Sequence, residues 1–227
     1  MATYSADLRT INQASKEYLE AVYELEEEGQ RIVQARLGQR LGLSPATVSE
    51  GVKRLVTDGH VTVSGRDISL TERGRELAET LVRRHRLAER MLTDILGIPW
   101  HLCHHQAEDW EKVMTDEVEQ AILAKIEGPA TCPHGNPIPG TPEPVAWSAL
   151  VSVADMEPGA TGVLTRLLED VELDGEVMKF LEHNGLTPGA VIRVAGVAPD
   201  GTRTLTVDGH PVALGEGLSD NIWVLPS

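Results

Sequence analysis

Residues 44–59, SPATVSEGVKRLVTDG, carry the signals that decide the fold of the first part of the chain. Ser44 is a favourable helix N-cap, and Pro45 suits the first position of the helix that follows. A short helix is predicted before this segment, over residues 33–41, and two β-rich runs joined by a Gly-Arg turn follow it over residues 60–71. Helix, glycine turn, helix and hairpin in this order predict a winged helix-turn-helix.

The sequence on either side of this motif is also patterned. A helix is predicted over residues 15–28, and long amphipathic helices over 71–96 and 101–125. Two such helices cannot enclose a large core alone, so we expect them to bury a face against a second copy of the chain. Residues 127–147 contain six prolines and three glycines, which indicates an irregular tether. Short β-like segments and one helix over residues 148–227 predict a small barrel.

Composition excludes several classes of protein. In 227 residues, of which 41% are apolar, there is no run long enough to cross a membrane and no hydrophobic leader at the N-terminus, so we expect a cytoplasmic protein without a membrane partner. Cys103 and Cys132 are the only cysteines, which excludes a disulfide framework. The net charge is −15, yet the stretch 31–54 has five cations and one anion. This local excess of positive charge can face phosphates.

Three helices carry potential metal ligands at helical spacing. Their side chains share helical faces within each helix, because three or four residues make one turn. The candidates are Glu17 and Glu20 on the predicted helix 15–28, His85 and Glu89 on the predicted helix 71–96, and His104, Glu108 and Glu111 on the predicted helix 101–125. Nitrogen and carboxylate oxygen donors suit Mn²⁺ or Fe²⁺, and Zn²⁺ is an alternative. Solvated glutamates and structural histidines explain the same pattern without a metal.

Five segments of the chain together resemble the diphtheria-toxin-repressor family of metal-dependent transcriptional regulators, including its manganese-responsive branch. They are TINQASKEYLEAVYELEEEG (10–29), LSPATVSEGVKRLVTDG (43–59), RRHRLAERMLTDILG (83–97), HHQAEDWEKVMTDEVE (104–119) and CPHGNPIPG (132–140). The resemblance keeps their order and spacing over the whole chain.

The resemblance implies a mainly α protein with some β structure and a defined domain order. We predict a winged helix-turn-helix DNA-binding domain over residues 1–80 and a helical dimerisation and metal-binding domain over residues 81–131. A Pro/Gly-rich tether over residues 132–147 leads to a C-terminal SH3-like, FeoA-like β-barrel over residues 148–227.

The resemblance also implies two metal sites in each subunit. His85, Glu89 and His104 resemble the family's ancillary site, to which the SH3-like domain can add a ligand; Asp174 is the nearest acidic match, with Glu176 as its neighbour. The site usually called primary corresponds to Glu17, Glu20, Glu108 and Glu111. Iron-responsive members typically have Met and Cys at the positions of Glu17 and Glu108, so two carboxylates here favour Mn²⁺, with Fe²⁺ second.

One position departs from the family pattern. Lys112 stands where members generally have a histidine directly after the second carboxylate. A protonated lysine cannot bind a metal and repels a dication. The primary site is therefore either weakened, or Lys112 turns outward and another group completes the site.

The resemblance places DNA contacts on the helix of residues 45–58 and around it. Thr47 and Ser49 can bond phosphates or bases, the Ala46 methyl can meet a thymine methyl, and Glu50 can accept from cytosine. Ser44 is either a contact or only a helix cap. The predicted backbone contacts are cationic: Arg36, Lys53, Arg54 and Arg66.

The predicted function is a metal-dependent regulator that binds double-stranded operator DNA as a homodimer and mainly represses metal-uptake genes. The alternative is a metal-independent winged-helix regulator that senses an organic ligand. The sequence contains no HExxH, no P-loop and no Ser/His/Asp arrangement. We therefore expect no enzymatic activity and no organic substrate.

Overall fold

The computed structural model describes residues 11–126, 130–142 and 145–227, and the chain forms two compact units. The first unit comprises the chain up to His85 together with Val113–Gln120, and the second comprises Arg86–Lys112 together with Ala121–Ser227. These two units are groups of residues that pack together, whereas the sequence predicts four consecutive segments of the chain. The division into four segments stays a prediction.

The first unit contains the helices and the hairpin that the sequence predicts. They are α1 (Gln13–Glu27), α2 (Gln34–Leu41), α3 (Pro45–Thr57), β1 (Val61–Ser64) and β2 (Asp67–Leu70). Asn12 caps α1 by accepting from the Ser15 amide at 2.9 Å. Gly42 ends α2 with φ +64°, a backbone conformation that suits glycine. Ser44 then caps α3, with Pro45 in its first turn.

The core of the first unit lies between these helices and the hairpin. Its buried apolar side chains include Leu19, Val22, Leu25, Leu37, Val48, Val52, Leu55, Val61, Ile68 and Leu77. Gly51 of α3 lies against Tyr18 of α1, and an added Cβ there would lie 2.4 Å from Cζ of Tyr18. The hydroxyl of Tyr18 donates to the Thr47 carbonyl at 3.1 Å, so the ring holds α3 against α1. Glycine is required at this point because no side chain fits.

The central helices are more divided than expected. The predicted helix 71–96 is α-helical as α4 (Glu72–Arg90) and continues as a π-helical turn (Met91–Ile95). A 3₁₀ turn (Trp100–Leu102) precedes α5 (Cys103–Val113), and α6 (Asp116–Lys125) is separate from α5. The expected single helix 101–125 is therefore corrected to two. Thr115 starts a new helix, because its hydroxyl accepts from the Val118 amide at 3.4 Å.

The second unit contains a six-stranded antiparallel sheet made of β3 (Val151–Ser152), β4 (Thr161–Leu167), β5 (Val191–Val197), β6 (Arg203–Val207), β7 (His210–Leu214) and β8 (Ile222–Pro226). The order of the strands across the sheet is β3-β8-β4-β5-β6-β7. Two helices follow β4, namely α7 (Glu169–Glu172) and α8 (Gly175–His183), and the short α9 (Glu216–Ser219) precedes β8. The core is apolar and includes Leu164, Leu167, Met178, Leu181, Ile192, Val194, Leu205 and Val224.

The segment predicted as a tether is irregular in its backbone over its described residues, but its first half is buried, and residues 143 and 144 lie outside the described ranges. Residues 132–136 are all buried, and Thr131 pairs with Pro137 in an isolated bridge. Two of these residues, Cys132 and His134, carry side chains that can bind a metal. None of the helices in the described ranges has the length and apolar character needed to cross a bilayer.

Candidate metal centre

A cluster of ionisable side chains is buried in the second unit. Glu89 of α4, His104 of α5, His134 of the segment after α6 and Glu172 of α7 have relative exposures of 1%, 8%, 0% and 2%. We call these four residues the buried cluster. Carboxylates and histidines are rarely buried so completely unless they pair with each other or bind a metal.

Each carboxylate of the buried cluster contacts both imidazoles. Oε1 of Glu89 lies 3.1 Å from Nδ1 of His104 and 3.3 Å from Nδ1 of His134. Oε2 of Glu172 lies 3.2 Å from Nδ1 of His104 and 2.6 Å from Nδ1 of His134. Four donor atoms from four separate segments therefore converge on one small region.

Two cysteines and a third glutamate surround the cluster. Sγ of Cys103 lies 3.6 Å from Nε2 of His134, and a ligand atom of Cys132 lies within 4.8 Å of ligand atoms of His134 and Glu172. Glu169, one turn before Glu172 on α7, is buried and bonds Arg86 at 2.9 Å. Arg86 thereby neutralises one carboxylate next to the cluster.

Backbone and side-chain hydrogen bonds fix the segment that carries His134. The Arg90 guanidinium donates to the carbonyls of Thr131 at 2.7 Å and Cys132 at 3.2 Å. The carbonyl of His134 accepts from the Leu167 amide of β4 at 3.0 Å. The side-chain amide of Asn136 donates to Oε1 of Glu172 at 2.6 Å, which leaves Oε2 facing the imidazoles. Such outer contacts orient metal ligands.

The electrostatics of the cluster place a proton on His134 in the absence of a metal. Burial lowers the pKa of His134, but the carboxylates of Glu172 and Glu89 oppose it, and the net pKa lies well above that of an ordinary histidine. For Glu172, burial raises the pKa, whereas the charge of His134 lowers it, and the net pKa is below its usual value. Burial raises the pKa of the Cys132 thiol to about 12. The buried cluster is thus most stable when a positive charge lies between the carboxylates of Glu89 and Glu172.

The donors fit a divalent first-row transition metal. Imidazole nitrogen and carboxylate oxygen suit Mn²⁺, Fe²⁺ and Zn²⁺, and a nearby thiol adds a soft donor that suits Fe²⁺ or Zn²⁺ better than Mn²⁺. A dication placed between the two carboxylates supplies the positive charge that a proton on His134 otherwise supplies.

The structure corrects the ligand expected from the C-terminal domain. Asp174 is exposed and caps α8, since its Oδ1 accepts from the amides of Glu176 and Val177 at 3.1 Å each. Glu176 is exposed as well. Glu172, two residues before Asp174, occupies the buried cluster instead. The acidic run LEDVELDGE offers several alignments, and only the packing of α7 distinguishes them.

Sequence reasoning also missed Cys132 and His134. Both lie in the motif CPHGNPIPG, which supported the family resemblance, but the prolines of the motif indicated a tether. A Cys-x-His spacing near other predicted ligands was the signal that could have identified them.

The other predicted ligands lie on the expected helices. His85 is half-buried and lies one turn before Glu89 on α4, so the two side chains share a face of that helix. Glu17 is exposed and Glu20 half-buried on α1. On α5, Glu108 is exposed and lies 3.7 Å from His105, whereas Glu111 is half-buried one turn later.

Lys112, the departure from the family pattern, points towards solvent. Its Nζ donates to Oδ1 of Asp109 at 3.3 Å, and the Asp109 side chain is 91% exposed. The ammonium group is thus held by a carboxylate that lies in water, one turn back on the same helix.

The residues predicted to contact DNA are on α3 and next to it. Ser49 is half-buried, and the others are exposed: Arg36, Ser44, Ala46, Thr47, Glu50, Lys53, Arg54 and Arg66. Ser44 accepts from the Thr47 amide, so it does cap the helix. Arg54 bonds Asn12 at 3.5 Å and Arg36 bonds Gln30, so each is anchored at the surface.

Three domain families match the chain. The N-terminal DNA binding domain of iron dependent repressors matches residues 11–67, and the metal binding and dimerisation domain of iron dependent repressors matches residues 71–140. The FeoA domain matches residues 151–226.

Relatives and solved structures agree with these matches. The iron-dependent repressor IdeR of Mycobacterium tuberculosis is 40% identical over 203 residues, which cover 85% of this chain and 88% of the relative. The diphtheria toxin repressor of Corynebacterium diphtheriae is 34% identical over 226 residues, 96% of this chain and 99% of the relative. A manganese-dependent transcriptional repressor in complex with manganese superposes with a TM-score of 0.83 at 29% identity, covering 94% of this chain and all of that one.

Proposed function

The chain belongs to the family of iron-dependent repressors, and from this premise we propose that Mn²⁺, with Fe²⁺ second, controls its binding to operator DNA as a homodimer. The family consists of metal-dependent, DNA-binding transcriptional repressors and not of enzymes. The predictions of a winged-helix, dimerisation and SH3-like fold, of metal-dependent regulation and of no enzymatic activity are therefore confirmed. The alternative of a metal-independent regulator for an organic ligand is set aside.

The observation that carries the proposal is the buried cluster. We propose that Glu89, His104, His134 and Glu172 hold a divalent metal ion, with His85 from the preceding turn of α4 as a further ligand. In the bound state the ion supplies positive charge to the two carboxylates. Their oxygens otherwise depend on a proton that His134 retains. Loss of the ion therefore costs stability unless His134 is protonated.

A second site is proposed from the sequence, at Glu17, Glu20, Glu108 and Glu111. Four carboxylates without sulfur favour Mn²⁺ over softer metals. Lys112 donates to Asp109, which is exposed, so its ammonium group is directed towards solvent. We propose that water fills the coordination positions of the metal that the four carboxylates do not occupy. This site is the basis of the proposed preference for Mn²⁺.

Metal binding is proposed to limit the movement of α1 and of the DNA-binding domain that it belongs to. Without a cation the carboxylates of the second site repel one another. With it, the two recognition helices of a dimer keep the spacing of about 34 Å that successive major grooves require. A coupling free energy of about 1–3 kcal/mol is ordinary for such a switch.

The proposed DNA-contacting face consists of the exposed side of α3 and the turn of the hairpin. Lys53 and Arg54 project from α3, and Arg66 lies in the turn. Glu50 on the same helix repels phosphate but can accept from the amino group of cytosine. We propose that it contributes to operator choice.

The proposed homodimer rests on apolar side chains left at the surface. In the second unit Leu96, Leu102 and Trp110 are 55%, 45% and 45% exposed. We propose that these side chains belong to an apolar patch that the interface covers. A second copy of the chain is the expected partner, because the matched domain is described as a dimerisation domain.

The experiment combines metal and DNA titration. Duplexes are first selected from a random pool in the presence of Mn²⁺, and their binding is then measured by fluorescence anisotropy with Mn²⁺, Fe²⁺, Zn²⁺ or chelator. We expect tighter binding by about 5–150-fold with Mn²⁺ than with chelator. Equal binding in both conditions would refute the metal switch, and sedimentation of a monomer under all conditions would refute the homodimer.

A further inference from the structure

The environment of His134 distinguishes its two ring nitrogens. Nδ1 faces Oε2 of Glu172 at 2.6 Å and Oε1 of Glu89 at 3.3 Å. Nε2 faces the opposite direction and lies 3.6 Å from Sγ of Cys103. One nitrogen is therefore directed at the carboxylates of the cluster and the other at a thiol.

Cys103 is itself held in place. It is fully buried, and its Sγ lies 3.2 Å from the carbonyl oxygen of Trp100, to which the thiol donates. The thiol can thus accept a hydrogen bond from Nε2–H of His134 while its own hydrogen goes to Trp100. A histidine that binds a metal through one nitrogen usually donates from the other to a fixed acceptor.

Trp100 contributes further contacts to the same histidine. Its indole Nε1 donates to the carbonyl of Pro133 at 3.0 Å, and its ring meets the His134 ring edge-on with centroids 4.8 Å apart. The backbone amide of Trp100 donates to Glu182 of α8 at 3.2 Å, so α8 anchors the turn. The turn Trp100–Cys103 therefore holds both the backbone before His134 and the position of its ring.

We propose that Cys103 is a positioning residue for the metal centre and not a ligand. It fixes His134 with a hydrogen on Nε2, so that Nδ1 is the nitrogen that binds the metal. This inference rests on the proposed function, because it presupposes an ion at the buried cluster. The opposing interpretation is that the Cys103 sulfur binds the ion directly, since Cys103, Glu89 and His134 offer ligand atoms within 4.8 Å of one another.

Cys103 has two polar neighbours, the carbonyl of Trp100 and Nε2 of His134, at 3.2 and 3.6 Å from its Sγ. A neutral thiol both donates and accepts, as the geometry around Trp100 and His134 requires. A serine hydroxyl can do the same, whereas a valine of similar size can do neither.

The test compares Cys103→Ser and Cys103→Val in the full-length chain. With Zn²⁺ bound, long-range ¹H–¹⁵N spectra of the wild type are expected to show His134 coordinated through Nδ1 and protonated at Nε2. Cys103→Val is expected to weaken Zn²⁺ binding by about 10–100-fold, the usual loss for an outer contact of a ligand, and Cys103→Ser to bind within a few-fold of wild type. Thermal unfolding of both variants without metal shows whether each is folded.

Co²⁺ provides the decisive spectroscopic comparison. If the visible and near-ultraviolet spectrum of the Co²⁺ protein is unchanged in Cys103→Ser, Cys103 is not a ligand, as proposed. Loss of a sulfur-to-cobalt band in that variant would overturn the proposal, and so would coordination through Nε2 or wild-type affinity in Cys103→Val. If the wild type binds neither Zn²⁺ nor Co²⁺, the proposed function itself fails, which is a distinguishable result.

Discussion

Gly135 allows the metal centre to be perturbed without removal of any ligand. The residue follows His134 directly and has φ +93°. A Cβ built on Gly135 would lie 1.9 Å from the carbonyl oxygen of Thr165 and 2.9 Å from Cα of Arg166. Both neighbours are backbone atoms of β4, where Arg166 pairs with Trp223 of β8, so they yield less easily than the end of a side chain. The Gly135→Ala change therefore moves the segment of His134.

The size of the movement follows from these distances. Ordinary contact with a Cβ begins at 3.4 Å, so the 1.9 Å approach requires a shift of about 1.5 Å. Metal–ligand distances tolerate about 0.2 Å. Even if only part of the shift reaches His134, the imidazole leaves the position in which Nδ1 meets Glu172. We expect metal affinity to fall by about 10–100-fold or more.

Gly189→Ala is a matched control in the same unit. Gly189 has φ +96°, close to that of Gly135, but a Cβ there would meet no atom within 4 Å. Both variants bear the strain of a positive φ, about 1–3 kcal/mol, whereas only Gly135→Ala bears the collision. Competition with a chromophoric chelator measures Zn²⁺ and Mn²⁺ affinity, and thermal unfolding without metal measures the strain. Equal metal affinity of the two variants would refute the reasoning.

Four further predictions concern other parts of the molecule. Because the pKa of His134 is raised and a metal must displace its proton, apparent metal affinity in a chelator competition should still rise with pH above about 6.5, where that of an ordinary histidine levels off, and a profile that is flat above this pH would contradict this. Lys112→His should increase Mn²⁺ affinity about tenfold in calorimetry, since a neutral donor replaces a cation; no change would speak against the second site. Lys53→Ala should weaken DNA binding uniformly across sequences and reduce the salt slope by about 1, and a sequence-dependent loss would instead indicate base contact. Gly51→Ala should destabilise the protein by about 1–3 kcal/mol in denaturant unfolding, because Tyr18 leaves no room; stabilisation through helix propensity would overturn this.

The winged helix could be predicted because its signals are local. Ser44, Pro45 and Gly42 act on the backbone within a few residues of themselves, and the structure places the caps and turns where the sequence indicates. The resemblance to the repressor family supplied the order of the domains. The break between α5 and α6 was missed, because the apolar spacing continues across Thr115 and only its cap starts a new helix.

The members of the buried cluster were only partly predictable. Glu89 and His104 follow from helical spacing, since each lies on a helix with clear periodicity. His134 and Glu172 come from an irregular segment and from a four-residue helix, neither of which has a period that identifies a face. Asp174 matched the expectation by type and place in the sequence but serves as a helix cap.

The sequence by itself determined the winged-helix elements, the helices that carry Glu89 and His104, and the family to which the chain belongs. These depend on backbone propensity, on caps and on a spacing that is visible along the chain. Tertiary structure alone decided which acid of the run 169–176 enters the cluster and that the proline-rich segment is buried there. The reason is physical: a ligand set joins side chains whose separation in space depends on packing, and the interval between them in the sequence contains no record of that packing.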